Sequence, residues 1–329
     1  MQRRSWMRLA LLPLAAQVGG SVHAEENYPA RPVTILVPFT AGGPTDVFFR
    51  ALAEGLSKQW GSPVVVDNRP GANESIAAVA TARAAKDGYT LFGASEGALL
   101  LNPLLYRKLP YDPARDFAPV TLLAKGPLVF AVPATMPVNT MAEFIAYAKT
   151  RSATRPVAYG STGMGGTTHL AFSALERQHG IQLNQVNYKG VVNVLQDMLS
   201  GNVEAGVFGP PLIEGYVRSG KLKALAIPAP RRAASLPDVP TFAETGVPEM
   251  KSVYELTLVA PSGTPPSVVE KIAASSRKVL LSSEFLKKNV EPFGLVPAGW
   301  SPEEFGQYLA KERPLRAQLV RESGVEIQD

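Results

Sequence analysis

Short apolar runs rich in β-branched residues alternate along the chain with stretches in which apolar residues recur every three or four positions. The first run covers residues 33–39, and the helical stretch after it begins near Thr45 and ends at Gly61. This alternation predicts an α/β protein whose sheets are largely parallel. Further strands are predicted at residues 64–66, 89–93, 157–159, 186–188, 203–208 and 222–227. Further helices are predicted at residues 76–85, 142–150, 169–179, 191–199, 268–281 and 302–322.

Two segments interrupt the alternation. Residues 120–132 form a long apolar stretch broken by Gly126-Pro127, and residues 253–260 follow a Pro-rich passage. We interpret both as crossover strands, which predicts two lobes, each a mainly parallel sheet flanked by helices, with a cleft between them. The expected boundaries are 25–125 plus 248–329 for lobe 1 and 126–247 for lobe 2.

The N-terminal residues have the pattern of a secretory signal peptide. Arg3, Arg4 and Arg8 precede an apolar stretch of about ten residues, too short for a bilayer core that needs ~20. We predict that residues 1–24 are removed on export by the Sec or the twin-arginine route, since Arg3-Arg4 also fits a twin-arginine signal. No cysteine is present to carry a lipid, so we expect the mature protein to be freely soluble.

Composition excludes several classes of function. Residues 1–24 hold three arginines and no acid, so the balance of 33 basic against 28 acidic residues becomes 30 against 28 after processing. Without a basic cluster, no nucleic-acid partner is expected. The absence of cysteine removes disulfides, thiolate nucleophiles and Cys-ligated metals, and only His169 and His179 remain as histidines. We therefore expect no metal and no cofactor. We also expect the protein to be a monomer.

A glycine-rich turn follows the first predicted strand, at residues 38–46. Glycines leave backbone N–H groups open to a ligand, and the helix that follows presents the positive end of its dipole, so the turn suits an anion. An ordinary tight strand-to-helix connection is the alternative. The candidate ligand-binding residues here are Phe39, Thr40, Ala41, Gly42, Gly43, Thr45 and Asp46.

A second glycine-rich turn, at residues 159–169, also leads from a strand into a helix. It lacks the lysine of a phosphate loop, and Thr168 stands where a dinucleotide motif needs its third glycine. We expect the two helix N-termini to face each other and clamp a small mono- or dicarboxylate, with His169 either donating to the ligand or only packing locally. The candidates in this turn are Ser161, Thr162, Gly163, Gly165, Gly166, Thr167 and His169.

Motifs along nearly the whole mature chain resemble those of the tripartite tricarboxylate transporter receptors, also called Bug receptors. The motifs are Tyr28-Pro29-x-x-Pro32, Val37-Pro38-Phe39, Gly42-Gly43-Pro44-Thr45-Asp46, Asn68-Arg69-Pro70-Gly71-Ala72, Asp87-Gly88-Tyr89-Thr90-Leu91, Asn102-Pro103 with Tyr106, Leu109-Pro110-Tyr111-Asp112-Pro113, Asp116-Phe117-Ala118-Pro119-Val120, Tyr159-Gly160-Ser161, His169-Leu170-Ala171, Tyr188-Lys189-Gly190, Leu236-Pro237-Asp238-Val239-Pro240-Thr241, Ala260-Pro261 and Gly263-Thr264-Pro265.

The resemblance implies a two-lobed, type II-like periplasmic-binding-protein fold joined by two crossover strands. It also implies a receptor that delivers a small organic carboxylate to the membrane permease subunits of a tripartite tricarboxylate transporter. The two turns would hold the ligand carboxylate, and we add Phe208 and Gly209 to the candidate site.

Three glutamates depart from the pattern of the family: Glu74, Glu96 and Glu255. Carboxylates around a cleft repel a polyanion, so we hypothesise a ligand with an amino, amide or ring-nitrogen group beside its carboxylate, and count Glu96 in the site. Solvated positions at the rim are the alternative.

A secreted serine hydrolase is the competing interpretation, because Gly93-Ala94-Ser95-Glu96-Gly97 matches G-x-S-x-G after a strand. A hydrolase of that type needs a histidine late in the chain, whereas the last one is His179.

Overall fold

The computed structural model describes residues 28–229, 231–247 and 253–328, so the predicted signal peptide lies outside the described residues. The strands are β1 (Val33–Val37), β2 (Val64–Asn68), β3 (Thr90–Ala94), β4 (Phe117–Pro127), β5 (Val129–Pro133), β6 (Val157–Ser161), β7 (Leu183–Asn187), β8 (Gly206–Phe208), β9 (Leu222–Ala226), β10 (Val253–Pro261) and β11 (Val296–Pro297). The α-helices are α1 (Pro44–Trp60), α2 (Ser75–Ala82), α3 (Asn102–Leu105), α4 (Pro113–Asp116), α5 (Met141–Arg151), α6 (Thr167–His179), α7 (Val191–Leu199), α8 (Pro210–Arg218), α9 (Phe242–Thr245), α10 (Pro266–Leu280), α11 (Ser283–Phe285) and α12 (Pro302–Ser323).

Lobe 1 is built on a six-stranded sheet in the order β11-β4-β10-β3-β1-β2. Strand β1 pairs in parallel with β2 and β3, whereas β10 runs antiparallel to both β3 and β4. Helices α1 and α10 bury Phe48, Leu52 and Ile272 in the core on one face of this sheet. The α/β architecture is confirmed, but the sheet is mixed rather than mainly parallel because the crossover strands β4 and β10 are paired with each other in opposite directions.

Lobe 2 contains the antiparallel set β8-β5-β9 and the parallel pair β6-β7. A bridge between Tyr159 and Ala205 links the two sets. Its core includes Phe130, Phe144 and Phe172, all fully buried. Here too the pairing is mixed rather than mainly parallel, since β5 enters directly from the crossover strand β4 and lies antiparallel to both of its neighbours.

Local sequence signals explain where α1 begins and ends. Pro44 occupies the first turn, where its missing N–H leaves no helical bond unmade. Gly61 ends the helix with a φ of 66°, the left-handed conformation that glycine adopts without steric cost. The predicted limits, near Thr45 and at Gly61, therefore agree closely with the structure.

Several helical segments escaped prediction, among them those that follow Gly97 and Gly209. The residues after Gly97 form a π-helical turn, Gly97–Leu101, that continues into α3. Pro103 lies in the first turn of α3, where proline is tolerated. Helix α8 was also missed, because its Pro210-Pro211 start reads as a loop signal in the sequence.

A small apolar cluster connects the lobes behind the cleft. Leu101 and Leu105 of the segment around α3 pack with Leu170 of α6 and Val320 of α12. The C-terminal helix α12 thus contacts a helix of lobe 2 while it lies against the sheet of lobe 1. None of the helices in the described ranges combines the length and the apolar composition needed to cross a bilayer.

Candidate ligand-binding cleft

A cavity lies between the lobes and encloses about 850 Å³ of empty space, its open mouth included. Lobe 1 and the crossover strands contribute Phe39, Thr40, Gly43, Pro44, Thr45, Asn73, Glu74, Ser95, Glu96, Gly97, Leu128, Tyr254 and Glu255. Lobe 2 contributes Thr162, Gly166, Thr167, Thr168, Val191, Val207 and Gly209.

The N-terminus of α1 opens on this cavity. Its first flanking residue, Gly43, provides no side-chain cap, so the first N–H groups of the helix remain available to a ligand. Asp46 does not line the cavity. Its carboxylate accepts hydrogen bonds from Gly42 N at 2.9 Å, Arg50 Nε at 3.0 Å and Asn68 Nδ2 at 2.9 Å. Burial alone would raise the pKa of Asp46, but these bonds lower it, so its carboxylate braces the turn.

The N-terminus of α6 opens on the same cavity from the other lobe. Gly166 precedes it without a side-chain cap, and Thr167 and Thr168 line the cavity. The rest of the turn bonds to itself. Ser161 Oγ donates to Gly163 O at 2.9 Å, and His169 Nδ1 accepts from Gly165 N at 2.7 Å. Burial lowers the pKa of His169 to about 4, which keeps the imidazole neutral and suited to accept.

The structure divides the predicted site residues into two groups. The predicted residues that line the cavity are Phe39, Thr40, Gly43, Thr45, Glu96, Thr162, Gly166, Thr167 and Gly209. Those that do not line it are Ala41, Gly42, Asp46, Ser161, Gly163, Gly165, His169 and Phe208. Most of the second group shape the two turns, and Phe208 is fully buried in the core of lobe 2.

Two further helix N-termini reach the cavity, and one was missed entirely. Helix α7 begins after Gly190 and α8 after Gly209, in both cases without a side-chain cap. Val191 and Gly209 line the cavity. The signal in the sequence was a glycine placed between a strand and an amphipathic stretch, as at Gly43 and Gly166.

Glu74 lies buried in the wall formed by lobe 1, with 6% of its surface exposed. It accepts hydrogen bonds from the hydroxyl of Ser95 and from Ser95 N, the latter at 3.2 Å. Burial, and then the nearby charge of Glu96, raise the pKa of Glu74 to about 8. The alternative of a solvated rim position is therefore wrong for this residue.

Glu96 spans the cleft from lobe 1 to lobe 2. Its carboxylate accepts from the hydroxyl of Thr167, in the first turn of α6, and from Glu255 N at 2.8 Å. Only 2% of its surface is exposed. Burial, and then the charge of Glu255, raise the pKa of Glu96 to about 7, so the group titrates near neutrality.

Glu255, also 2% exposed, is held on one oxygen only. Its Oε1 accepts from the hydroxyl of Tyr308 and lies 3.2 Å from Arg316 Nη2 and 3.6 Å from Lys125 Nζ. Within the described ranges, its Oε2 and the neighbouring hydroxyl of Tyr254 are buried and have no hydrogen-bond partner. Both residues line the cavity.

An unusual backbone run delivers Glu74 to the cavity. Ala72, Asn73 and Glu74 have φ angles of 45°, 47° and 71°. Successive non-glycine residues in the left-handed region are strained, and such strain concentrates at functional sites. The run also places Asn73 Nδ2 3.2 Å from Met164 O of the facing lobe.

The geometry around Ser95 does not support the hydrolase interpretation. The Ser95 hydroxyl donates to Glu74 and accepts from Gly97 N at 3.0 Å. His169, the first histidine after Ser95 in the sequence, is bonded within its own turn on the other lobe. No serine–histidine pair forms among the described residues near Ser95, and the described ranges contain no group of three or more potential metal ligands.

A family model described as the tripartite tricarboxylate transporter family receptor matches residues 48–325. The chain belongs to this receptor family. The resemblance noted in the sequence is thereby confirmed, and the family is one of receptors rather than hydrolases.

Known relatives and solved structures agree with this assignment. Protein BugT of Bordetella pertussis is 35% identical over 306 residues, which cover 92% of either chain. The structure of a protein from R. palustris with adipate has a TM-score of 0.85 at 33% identity, covering 91% of this chain and 99% of that one. MatC from Rhodopseudomonas palustris, with bound malate, has a TM-score of 0.82 at 30% identity, covering 89% of this chain and 100% of MatC. These structures confirm the two-lobed fold of periplasmic binding receptors.

Proposed function

We propose that this protein is an extracytoplasmic solute receptor that binds a small organic carboxylate in the cleft between its lobes. The observation that carries the proposal is the convergence of three uncapped helix N-termini with free N–H groups, those of α1, α6 and α7, on one cavity. Their free N–H groups and aligned dipoles favour a negative ligand group. The adipate and malate in the related structures belong to the same chemical class.

The ligand-binding residues of this proposal are those that the cavity exposes. We assign contact with the carboxylate to the turn around Gly43 and Thr45 and to the start of α7. The residues that brace the turns, such as Asp46 and His169, act by holding these N–H groups in place. Loss of a brace should weaken binding indirectly, by loosening the turn.

The cellular role follows from the family. We propose delivery of the ligand to the membrane permease subunits of a tripartite tricarboxylate-type transporter, from the periplasm, by a protein without enzymatic activity. The proposed lobe boundaries remain 25–125 plus 248–329 and 126–247. In their support, the chain crosses between the two sheets where β4 gives way to β5, near residue 128.

A ligand panel tests the proposal. Thermal unfolding of the purified protein should shift upward with at least one small mono- or dicarboxylate, and a ligand at 100 times its Kd should add about 2.7 kcal/mol to the free energy of unfolding. Thr45→Val, which removes a hydroxyl from the cavity, should reduce that shift, while Thr150→Val on the exposed end of α5 should not. If no carboxylate shifts the transition, the proposal is wrong.

A further inference from the structure

The cavity has two chemically different ends. The starts of α1 and α7, which lie together, supply free N–H groups and no carboxylate, whereas the other end is lined by Glu74, Glu96 and Glu255. A ligand carboxylate is favoured at the first end by the helix dipoles. At the second end it would meet buried carboxylates in a medium of low dielectric constant, where like charges repel strongly.

The third helix N-terminus already has a carboxylate beside it. The hydroxyl of Thr167, in the first turn of α6, donates to Glu96. Glu96 thus occupies the position at the start of α6 where the second carboxylate of a dicarboxylic acid would otherwise bind. The protein supplies one anion of its own at this position, which leaves the starts of α1 and α7 for a single ligand carboxylate.

Unused hydrogen-bonding atoms point to the nature of the other ligand group. Glu255 Oε2 is buried without a partner, on a side chain that is 2% exposed and lines the cavity. Tyr254 also lines the cavity, and its hydroxyl is buried without a partner. An acceptor left unpaired in this way costs free energy, which a ligand donor removes. An ammonium group has three N–H donors and a positive charge, and therefore fits a carboxylate-lined wall.

We infer, building on the proposed receptor function, that the ligand is an amino-carboxylic acid whose carboxylate lies at the starts of α1 and α7 and whose ammonium group contacts Glu96 and Glu255. Glu96 then acts as the residue that selects an ammonium group over a second carboxylate.

Protons are exchanged when such a ligand binds. The groups that face Glu96 are the carboxyls of Glu74 and Glu255, the guanidinium of Arg316 and the phenol of Tyr254. Beyond Glu255 lie Lys125, Tyr308 and, paired with Arg316, Glu312. Because the pKa of Glu96 is raised to about 7 and that of Glu74 to about 8, both are partly protonated near neutrality. An ammonium group stabilises their ionised forms, so binding releases a proton, whereas a dicarboxylate favours the protonated forms and takes a proton up.

Isothermal titration calorimetry with matched ligand pairs tests the inference. The pairs are alanine with lactate, aspartate with malate, and 4-aminobutyrate with succinate, each measured at pH 6 and pH 8 in two buffers of different ionisation enthalpy. We expect at least one amino compound to bind roughly tenfold or more tightly than its partner, with an affinity that rises from pH 6 to pH 8 and with proton release.

The variant Glu96→Gln removes the charge and keeps the shape of the side chain. We expect this variant to bind the amino ligand roughly tenfold or more weakly, as for loss of a charge-assisted hydrogen bond. The preference for the amino ligand over its hydroxy or dicarboxylate partner should become smaller, and the affinity should depend less on pH. Glu270→Gln, on the exposed face of α10, is the matched control and should change neither the ligand affinity nor its pH dependence. Circular dichroism and the melting transition establish that both variants fold.

The outcomes separate the two proposals. If a hydroxy acid or dicarboxylate binds and every amino partner binds more weakly, the inference is overturned while the receptor function stands. Equal binding of an amino ligand to the wild type and Glu96→Gln, with no proton release, also overturns it. If the folded protein binds no carboxylate at all, both proposals fail.

Discussion

Glu74 should make the protein less stable as the pH rises, and Glu74→Gln should remove this loss. The side chain is buried, and its pKa rises from 4.5 to about 8 mainly because burial disfavours the charged form. A carboxyl with a raised pKa in the folded state contributes stability that is fully present below about pH 4.5. That stability is lost as the pH rises through 8. Glutamine has no such dependence, and its amide oxygen can still accept from Ser95.

The size of the effect follows from the gap between the two pKa values. Each unit corresponds to about 1.4 kcal/mol, so the penalty of Glu74 is under about 1 kcal/mol at pH 5 and reaches about 4 kcal/mol at pH 8. Any change in hydrogen bonding to Ser95 is common to both conditions and cancels when they are compared. The excess stability of Glu74→Gln should therefore grow by about 3 kcal/mol between pH 5 and pH 8.

Urea unfolding of the wild type, Glu74→Gln and the surface control Glu270→Gln at pH 5 and pH 8 measures this difference. Each curve gives a free energy of unfolding by linear extrapolation. The control should follow the wild type at both pH values. An excess stability of Glu74→Gln that is the same at pH 5 and pH 8, or that shrinks with pH, would refute the reasoning, since it would mean that the buried carboxyl keeps its ordinary pKa.

Two further changes probe the closed cleft. A Cβ at Gly190 would lie 3.2 Å from Thr40 Cβ on the facing lobe. We therefore expect Gly190→Ala to weaken ligand binding and Gly190→Val to weaken it further. Gly215→Ala, whose Cβ meets nothing within 4 Å, should leave binding unchanged, and calorimetry measures the affinity of all three variants. Tyr254→Phe deletes a buried hydroxyl without a partner. Its free energy of unfolding should therefore lie within about 1 kcal/mol of the wild-type value or above it, while its ligand affinity should fall. An unchanged affinity would show that this hydroxyl is not part of the site.

The parts of the structure that short-range signals control were predictable. Helix α1 was located to within about a residue because proline and glycine mark its ends. The turns at Gly43 and Gly166 were recognisable because both join a strand to an amphipathic helix. What the sequence could not show is which atoms of each turn face the cleft, since Asp46 and His169 turn inward to bond their own backbone.

Other features depend on contacts distant in the sequence. Nothing local indicates that Ala72, Asn73 and Glu74 adopt left-handed conformations, because residues of these types seldom do so in succession. The role of Tyr254 was missed for a related reason. Its orientation is set by the register of β10 against β4, where the pairing is irregular after Leu256, and such a shift cannot be read from alternation along a single strand.

Helix α12 joins the chemistry of the cleft to a surface far from its mouth. Its residue Arg316 contacts Glu255, and one turn further on Val320 packs with Leu170 of α6. A groove between these two helices is lined by Leu319 and Arg177 on the outside of the molecule. Since the chain contains no cysteine, Gln318→Cys on the exposed face of α12 would provide a single position for an environment-sensitive dye. The protein is thus suited to conversion into an optical sensor that reports binding without any label in the binding site.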